Sequence, residues 1–196
     1  MDASANIEAF VLAGGKSSRM GKDKGLLPLK GRPMISYVLK ALNEMALPVR
    51  IIANQSGYEN FGYQVLQDEI PGNGPLGGLY TAFQHTTADH VLLLGCDMPL
   101  VNSEALCMLL NSAGAAHITA ASKEGQVNPL FAIYPKDFAG ELKERMDRGD
   151  LKMSDFILKT SHILVTSIGE KLPWALQNIN NKHELQEVEE KWTHLL

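Results

Sequence analysis

Cysteine is scarce in this chain: of 196 residues only Cys96 and Cys107 carry thiols, which excludes a small scaffold stapled by disulfides. With no visible export signal, the expected setting is a reducing compartment, the cytoplasm, with each cysteine an ordinary buried thiol. Basic charge is not in excess either. Lys and Arg number 18 against 22 Asp and Glu, for a formal net charge of -4, so there is no overall footprint for DNA or RNA, although a local anion site is still allowed. Long apolar runs are missing as well: those around Phe10 and Leu93 fall far short of the roughly 20 residues a membrane-crossing helix requires. The histidines form no HExxH motif and the cysteines no CxxC pair, which disfavours structural zinc. No repeat, low-complexity tract or long Gly/Ser/Pro linker divides the chain. What is present, 45% apolar and 20% charged residues, suffices for one sizeable core.

The patterning alternates between strand and helix. Ala9 to Leu12 is a compact apolar run that breaks into Ala13, Gly14 and Gly15, as a buried strand entering a loop does. Pro33 suits a first helical turn, and Ile35, Val38, Leu39, Leu42 and Met45 follow at helical spacing until Pro48. Val49 to Ala53 and Val65 with Leu66 read as strands. A second glycine-rich bend spans Gly72 to Gly78 and leads into a helix through Leu79, Ala82 and Phe83. Val91 to Leu94 reads as a central strand whose carboxyl end places Asp97 just beyond it, and Asn102 or Ser103 caps the next helix. Ile118 to Ala121 and Leu130 to Tyr134 are later strands; Phe138 to Met146 and Met153 to Leu158 are helices. Asn181 and Glu184 mark the start of a last helix with Leu185, Val188, Trp192 and Leu195 on one stripe. The fold expected is a single α/β domain over residues 1–196, with a mainly parallel sheet, helices on both faces, and a ligand site outside the strand carboxyl ends.

The most informative segment runs from Leu12 to Lys24. Its glycines let backbone amides approach a polyphosphate, and Arg19 and Lys24 offset negative charge directly after a hydrophobic strand. A solvated turn with scattered basic residues does not explain that placement. It is not a Walker A loop, because Gly21-Lys22 is followed by Asp23 and no glycine lies five positions before Gly21. Gly72-Asn73-Gly74-Pro75-Leu76-Gly77 satisfies the dinucleotide GxGxxG pattern, but Gln67 to Pro71 separate it from its strand, and hydride chemistry would leave the first loop without a purpose. Asp97, at a strand end, can hold magnesium beside phosphate oxygens; viewed alone it could equally be a turn aspartate before Pro99, and the first loop tips the reading to metal. Trp174 and Trp192 read as packing residues rather than ligands.

The first loop resembles the signature Leu-Ala-Gly-Gly-x-Ser-x-Arg-Met-Gly-x-Asp-Lys of molybdenum-cofactor guanylyltransferases, with Ser17, Arg19, Met20, Gly21, Asp23 and Lys24 in place. Further landmarks are Gly74-Pro75-Leu76-Gly77-Gly78, Asp97-Met98-Pro99, Asn128-Pro129-Leu130 and Asn178-Ile179-Asn180. Cytidylyltransferases and sugar nucleotidyltransferases share the broader loop pattern; the Gly14-Gly15 pair favours the guanylyl branch. The resemblance implies a Rossmann-like nucleotidyltransferase domain with the nucleotide mainly on its N-terminal half and the acceptor mainly on its C-terminal half. It places Leu12, Ala13, Gly14, Gly15, Lys24, Asn54, Asp68 and Asp97 around GTP, magnesium on Asp97, and Asn178 and Asn180 at the acceptor. On local grounds Asn54 and Asp68 could equally brace backbone turns. Where the family usually continues Asn-Thr-Pro, this chain has Asn180-Asn181-Lys182.

The reaction so implied moves GMP from GTP to the terminal phosphate of molybdopterin, or of its molybdenum-loaded form, and releases pyrophosphate. The catalytic set is Arg19, Lys24 and Asp97, with proteins of molybdenum-cofactor biosynthesis or an acceptor molybdoenzyme as macromolecular partners. A noncatalytic carrier of the pterin cofactor is the alternative of a different class, and the three charged residues make it less attractive.

Overall fold

The computed structural model describes residues 6–14 and 23–195. The first strand, β1 (Ile7–Leu12), lies in the middle of a sheet because its apolar run is covered on both sides. After it, a 3-10 turn (Lys24–Leu26) leads to a hairpin of β2 (Pro28–Leu29) and β3 (Arg32–Pro33), closed by Lys30 and Gly31 at positive φ. These two residues make a tight primed turn. Helix α1 (Met34–Glu44) follows, with Pro33 in extended conformation at its N-cap rather than in the first helical turn. Then come β4 (Val49–Ile52), β5 (Gln64–Leu66), α2 (Gly74–His85), β6 (His90–Gly95) and α3 (Ser103–Asn111). Asn102 caps α3 by accepting the Ala105 N–H at 2.9 Å, as its position before the apolar stripe predicts.

The second half departs from strict alternation. β7 (Ile118–Lys123) and β8 (Gln126–Pro135) form a hairpin whose turn residues, Glu124 and Gly125, both have positive φ. β8 starts well before Leu130 and carries Pro129 in its interior. That proline is tolerated because the register with β7 shifts across this stretch, so no regular ladder is broken there. Helices α4 (Ala139–Asp147) and α5 (Met153–Lys159), an edge strand β9 (His162–Val165), α6 (Thr166–Lys171) and α7 (Lys182–Leu195) complete the chain. Asn181 caps α7 through the Glu184 N–H at 2.9 Å, and Glu184 reaches back to the Asn180 N–H.

Among the described residues the main sheet has seven strands in the order β5-β4-β1-β6-β8-β7-β9. Only β8 runs against its neighbours; every other pairing is parallel. The mainly parallel α/β architecture expected from the sequence is the one observed. Because side chains alternate along a strand, Phe10 and Leu93 enter one core while Val11 and Leu94 enter the other. The first core collects α2, α4 and α5, the second α1, α3 and α6. All of β6 is buried, as a central strand covered on both faces requires. A third, smaller cluster of Leu29, Met34, Leu100, Ile179 and Val188 fastens α7 over the β2–β3 hairpin, and there Trp192 stacks edge-on against Tyr37 at 4.9 Å. Both tryptophans belong to packing. Among the described residues no helix is long and apolar enough to cross a membrane.

The path from the far edge of the sheet back to its centre depends on one close approach. A Cβ on Gly169 of α6 would stand 2.4 Å from the Ser122 carbonyl oxygen and 2.8 Å from Lys123 Cα, so this helix rests on bare backbone of β7. Gly169→Ala is therefore expected to lower stability by about 1–3 kcal/mol, read from urea unfolding. An unchanged midpoint would show that α6 can lift off the strand freely.

Candidate functional site

Four parallel strands, β5, β4, β1 and β6, end along one rim of the sheet. Their last peptides are stitched together beyond the strand ends. Ala13 N–H donates to the Ile52 carbonyl, Ala53 N–H to Leu66, and Cys96 N–H to Leu12, at 2.9–3.0 Å. The expected nucleotide residues Leu12, Ala13, Gly14, Asn54 and Asp68 and the expected metal residue Asp97 therefore share this rim. Gly15 and Arg19, the other two residues of the first loop assigned a role, lie outside the described residues.

Asp97 follows β6 at a point where the chain has almost no room. A Cβ on Gly95 would meet Asp97 Oδ1 at 2.7 Å. The Asp97 side chain is 14% exposed, and its carboxyl is raised above the ordinary carboxylate range. Burial is the main cause; the Lys24 ammonium and its hydrogen bond oppose it, and the Glu184 carboxylate adds to it. A desolvated carboxylate calls for positive charge, and Lys24 supplies it: Nζ stands 3.5 Å from Asp97 Oδ2. The same Nζ donates to Asn180 Oδ1 at 2.8 Å.

The asparagines expected at the acceptor, Asn178 and Asn180, reach this place through the backbone. After α6 a short turn over Pro173–Leu176 brings the chain back, and Ile179 N–H donates to the Asp97 carbonyl at 2.8 Å. Ile179 is fully buried in the third cluster, so it anchors the loop while its neighbours flank it. Asn180 faces Lys24. Among the described residues, Asn178 Oδ1 is buried without a hydrogen-bond partner, a polar atom built into the loop beside Asp97. The Asn180-Asn181-Lys182 departure does not remove Asn180 from the site; Asn181 instead becomes the cap of α7.

Asn54 and Asp68 brace the other end of the rim. Asn54 Oδ1 accepts the Asp68 N–H at 2.9 Å, and Asp68 Oδ1 accepts the Ile70 N–H at 3.0 Å and the Thr81 hydroxyl at 3.3 Å. The second glycine cluster serves close packing of α2. A Cβ on Gly78 would stand 2.6 Å from Leu12 Cδ2, and one on Gly77 would stand 2.9 Å from the Ile70 carbonyl oxygen and 3.0 Å from the Asp68 carboxylate. Since β5 ends at Leu66 and α2 begins at Gly74, this is not a dinucleotide turn leaving its strand directly.

The magnesium expected at this rim would find one protein carboxylate, Asp97, and would rely on phosphate oxygens for the rest of its coordination. Among the described residues no group of three or more His, Cys, Asp or Glu side chains could hold an ion. A hard-oxygen carboxylate at a strand end, with phosphate oxygens completing the coordination, matches magnesium's habit.

Asp23 belongs to the signature, but its place there assigns it no task. In the structure Asp23 Oδ1 accepts the Gly25 N–H at 3.1 Å and so caps the turn that carries Lys24. The Asp-x-Gly spacing is a local signal for that bond. Its second partner, the Tyr58 hydroxyl, had no such signal, because it comes from the loop after β4.

Comparison with known proteins places these features in context. Residues 9–163 match the family model described as MobA-like NTP transferase domain. A Flavobacterium johnsoniae protein named "Probable molybdenum cofactor guanylyltransferase" is 33% identical over 183 residues, covering 93% of this chain and 96% of its own. The molybdenum cofactor guanylyltransferase of Shewanella loihica is 34% identical over 197 residues, covering 97% of this chain and 100% of its own. Among solved structures, molybdopterin-guanine dinucleotide biosynthesis protein A of Archaeoglobus fulgidus superposes with a TM-score of 0.78 at 22% identity, covering 95% of this chain and 99% of its own. That likeness is one of fold.

The environment of Asp97 carries a linkage consequence. A carboxyl whose folded pKa lies above its unfolded value binds its proton more tightly in the native state, so its contribution to stability is present at acid pH and lost as pH rises through the folded value. Asp97→Asn removes that titration. The difference in urea midpoint, variant minus parent, is expected to grow from acid pH to pH 7; a difference that is flat or falls with pH would contradict the burial of this carboxylate.

Proposed function

The chain belongs to the MobA-like NTP transferase family, and from that premise we propose that it transfers GMP from GTP to molybdopterin, or to its molybdenum-loaded form, as a magnesium-dependent guanylyltransferase. The observation that carries this reading is the position of Lys24. One ammonium touches both the carboxylate at the nucleotide rim and an asparagine of the returning loop, so donor and acceptor elements meet at a single cation.

The chemistry needs little more than placement and charge. An oxygen of the acceptor phosphate attacks the α-phosphorus of GTP; the bond from that phosphorus to the bridging oxygen breaks, and pyrophosphate leaves. A phosphate monoester has a second pKa near 6, so at neutral pH the attacking oxygen is already largely unprotonated and no general base is required. The difficulty is repulsion between two anions. Lys24 offsets it from the protein side, and the resemblance gives Arg19 the task of steadying the departing pyrophosphate. Magnesium held by Asp97 and phosphate oxygens would neutralise further charge when bound. Asn180 orients the acceptor, and Asn178 offers its unpartnered Oδ1 to a donor on the pterin. Asn54 and Asp68 form the guanosine end of the rim.

The test is a nucleotide panel. Purified protein with molybdopterin and magnesium is offered GTP, CTP, ATP and UTP while pyrophosphate and the pterin product are followed. GTP-selective release coupled to product is expected. Preference for CTP would transfer the chain to the cytidylyl branch, activity only with a sugar phosphate would select that acceptor class, and tight pterin binding without turnover would make it a carrier. Chelation is expected to abolish the activity and added magnesium to restore it. Asp97→Asn is expected to reduce turnover on the order of 10²-fold or more while leaving the protein folded.

A further inference from the structure

We propose that Tyr58 is a positioning residue for the transfer reaction: from a buried site outside the signature loop it fixes the carboxyl group of Asp23, and through it the short turn that presents Lys24. The inference rests on the reading of Lys24 given above. It deepens that reading by assigning a task to a residue of the β4 loop.

Tyr58 is completely buried and is among the largest fully buried side chains. A phenylalanine would fill most of the same space, so the hydroxyl needs its own explanation. It donates to Asp23 Oδ1, the oxygen that also accepts the Gly25 N–H. Burial first, then the neighbouring Cys96 and Asp23, push this phenol well above its ordinary range, so it stays a donor wherever the protein is folded. Such a buried hydroxyl requires an acceptor, and Asp23 is the acceptor it has.

The contact leaves no slack. A Cβ on Gly25 would stand 2.6 Å from the Tyr58 hydroxyl oxygen and 3.1 Å from the Cβ and Sγ of Cys96. Lys24 is thus flanked by two residues pressed against one phenol: Asp23 by hydrogen bond, Gly25 by van der Waals contact. Its backbone cannot shift toward the β4 loop without displacing Tyr58. From that fixed turn the side chain extends to Asp97 and Asn180. The other Asp23 oxygen, Oδ2, lies 3.4 Å from where a Cβ of Gly14 would be, so the same carboxyl group also lies against the first residues of the nucleotide loop. Tyr58 therefore acts on the site through Asp23 and touches no substrate itself.

Tyr58→Phe removes one hydroxyl and keeps the ring, including its tilted packing on Phe61 at 6.2 Å. Kinetics are measured for Tyr58→Phe, Lys24→Ala and the double variant, with thermal unfolding of each as a check on folding. Tyr58→Phe is expected to lower kcat roughly tenfold in the parent, and less than about twofold further when Lys24 is already alanine, the non-additivity of two groups acting as one unit. A role in packing alone would give equal fractional losses in both backgrounds and overturn the proposal. A crystal structure of ligand-free Tyr58→Phe gives a second readout that needs no activity: Lys24 Nζ should leave its position between Asp97 and Asn180, and an unmoved Lys24 would also overturn it. If the parent releases no pyrophosphate from GTP, the functional reading fails, while the crystal structure still decides the positioning claim.

Discussion

A carboxylate taken out of water at the end of a buried strand is the constraint around which this site is organised. β6 is buried along its whole length, and Gly95 lets the chain turn tightly enough for Asp97 to follow without leaving that environment. Burial raises the energy of the charged form, and the Lys24 ammonium, its hydrogen bond and a backbone hydrogen bond at Asp97 oppose it. Lys24 does so in part, at a distance of 3.5 Å that is long for a strong ion pair. Both side chains retain some exposure, 26% for Lys24 and 14% for Asp97, so the pair is under-neutralised without being sealed. Under the proposed function, a cation would satisfy Asp97 and a phosphate would satisfy Lys24.

The sheet topology makes such a site available to two substrates. The parallel strands β5, β4, β1 and β6 bring their loops to one rim, where the nucleotide is proposed to lie. The antiparallel β8 then lets β7 and β9 extend the sheet on the other side, and α6 turns the chain back so that Ile179 can bond the Asp97 backbone. Asn180 reaches Lys24 by this long route, the two partners lying 156 positions apart in the chain. The loop around Ile179 is therefore held by a backbone bond and a buried isoleucine, while the Asn180 side chain is engaged with Lys24.

What was legible in the sequence follows from how local each signal is. The alternation of apolar runs with glycine loops revealed the α/β architecture, the end of β1 and the place of Asp97, because each depends on residues adjacent in sequence. The cap of α3 at Asn102 and that of α7 at Asn181 were legible for the same reason. Pro33 was misplaced by one structural step: its fixed φ suits a first helical turn, but the β2–β3 hairpin claims it as extended backbone. The early part of β8 was hidden because Val127, Asn128 and Pro129 carry a turn-like signal that only the register shift with β7 overrules. Edge strand β9 is four residues long, below the length at which periodicity says much. The Lys24–Asn180 contact and the Tyr58–Asp23 bond were out of reach, since each joins segments that only the completed sheet brings together.

Cys96, directly beside Asp97, clarifies what kind of chemistry this rim is built for. A thiol next to a buried carboxylate invites a nucleophilic reading, yet burial, reinforced by the negative charges of Asp97 and Asp23, pushes its pKa up and keeps it protonated. Its visible contribution is volume. Its Cβ and Sγ form, with the Tyr58 hydroxyl, the wall against which Gly25 fits, and a larger side chain there would push the Lys24 turn outward. Among the described residues, then, the groups nearest the expected phosphates are a cation, a carboxylate and amides held at fixed positions, while the one intrinsically nucleophilic side chain is kept inert as packing. That division suits direct transfer between two phosphates, in which the substrate brings its own nucleophile and the protein contributes placement and charge.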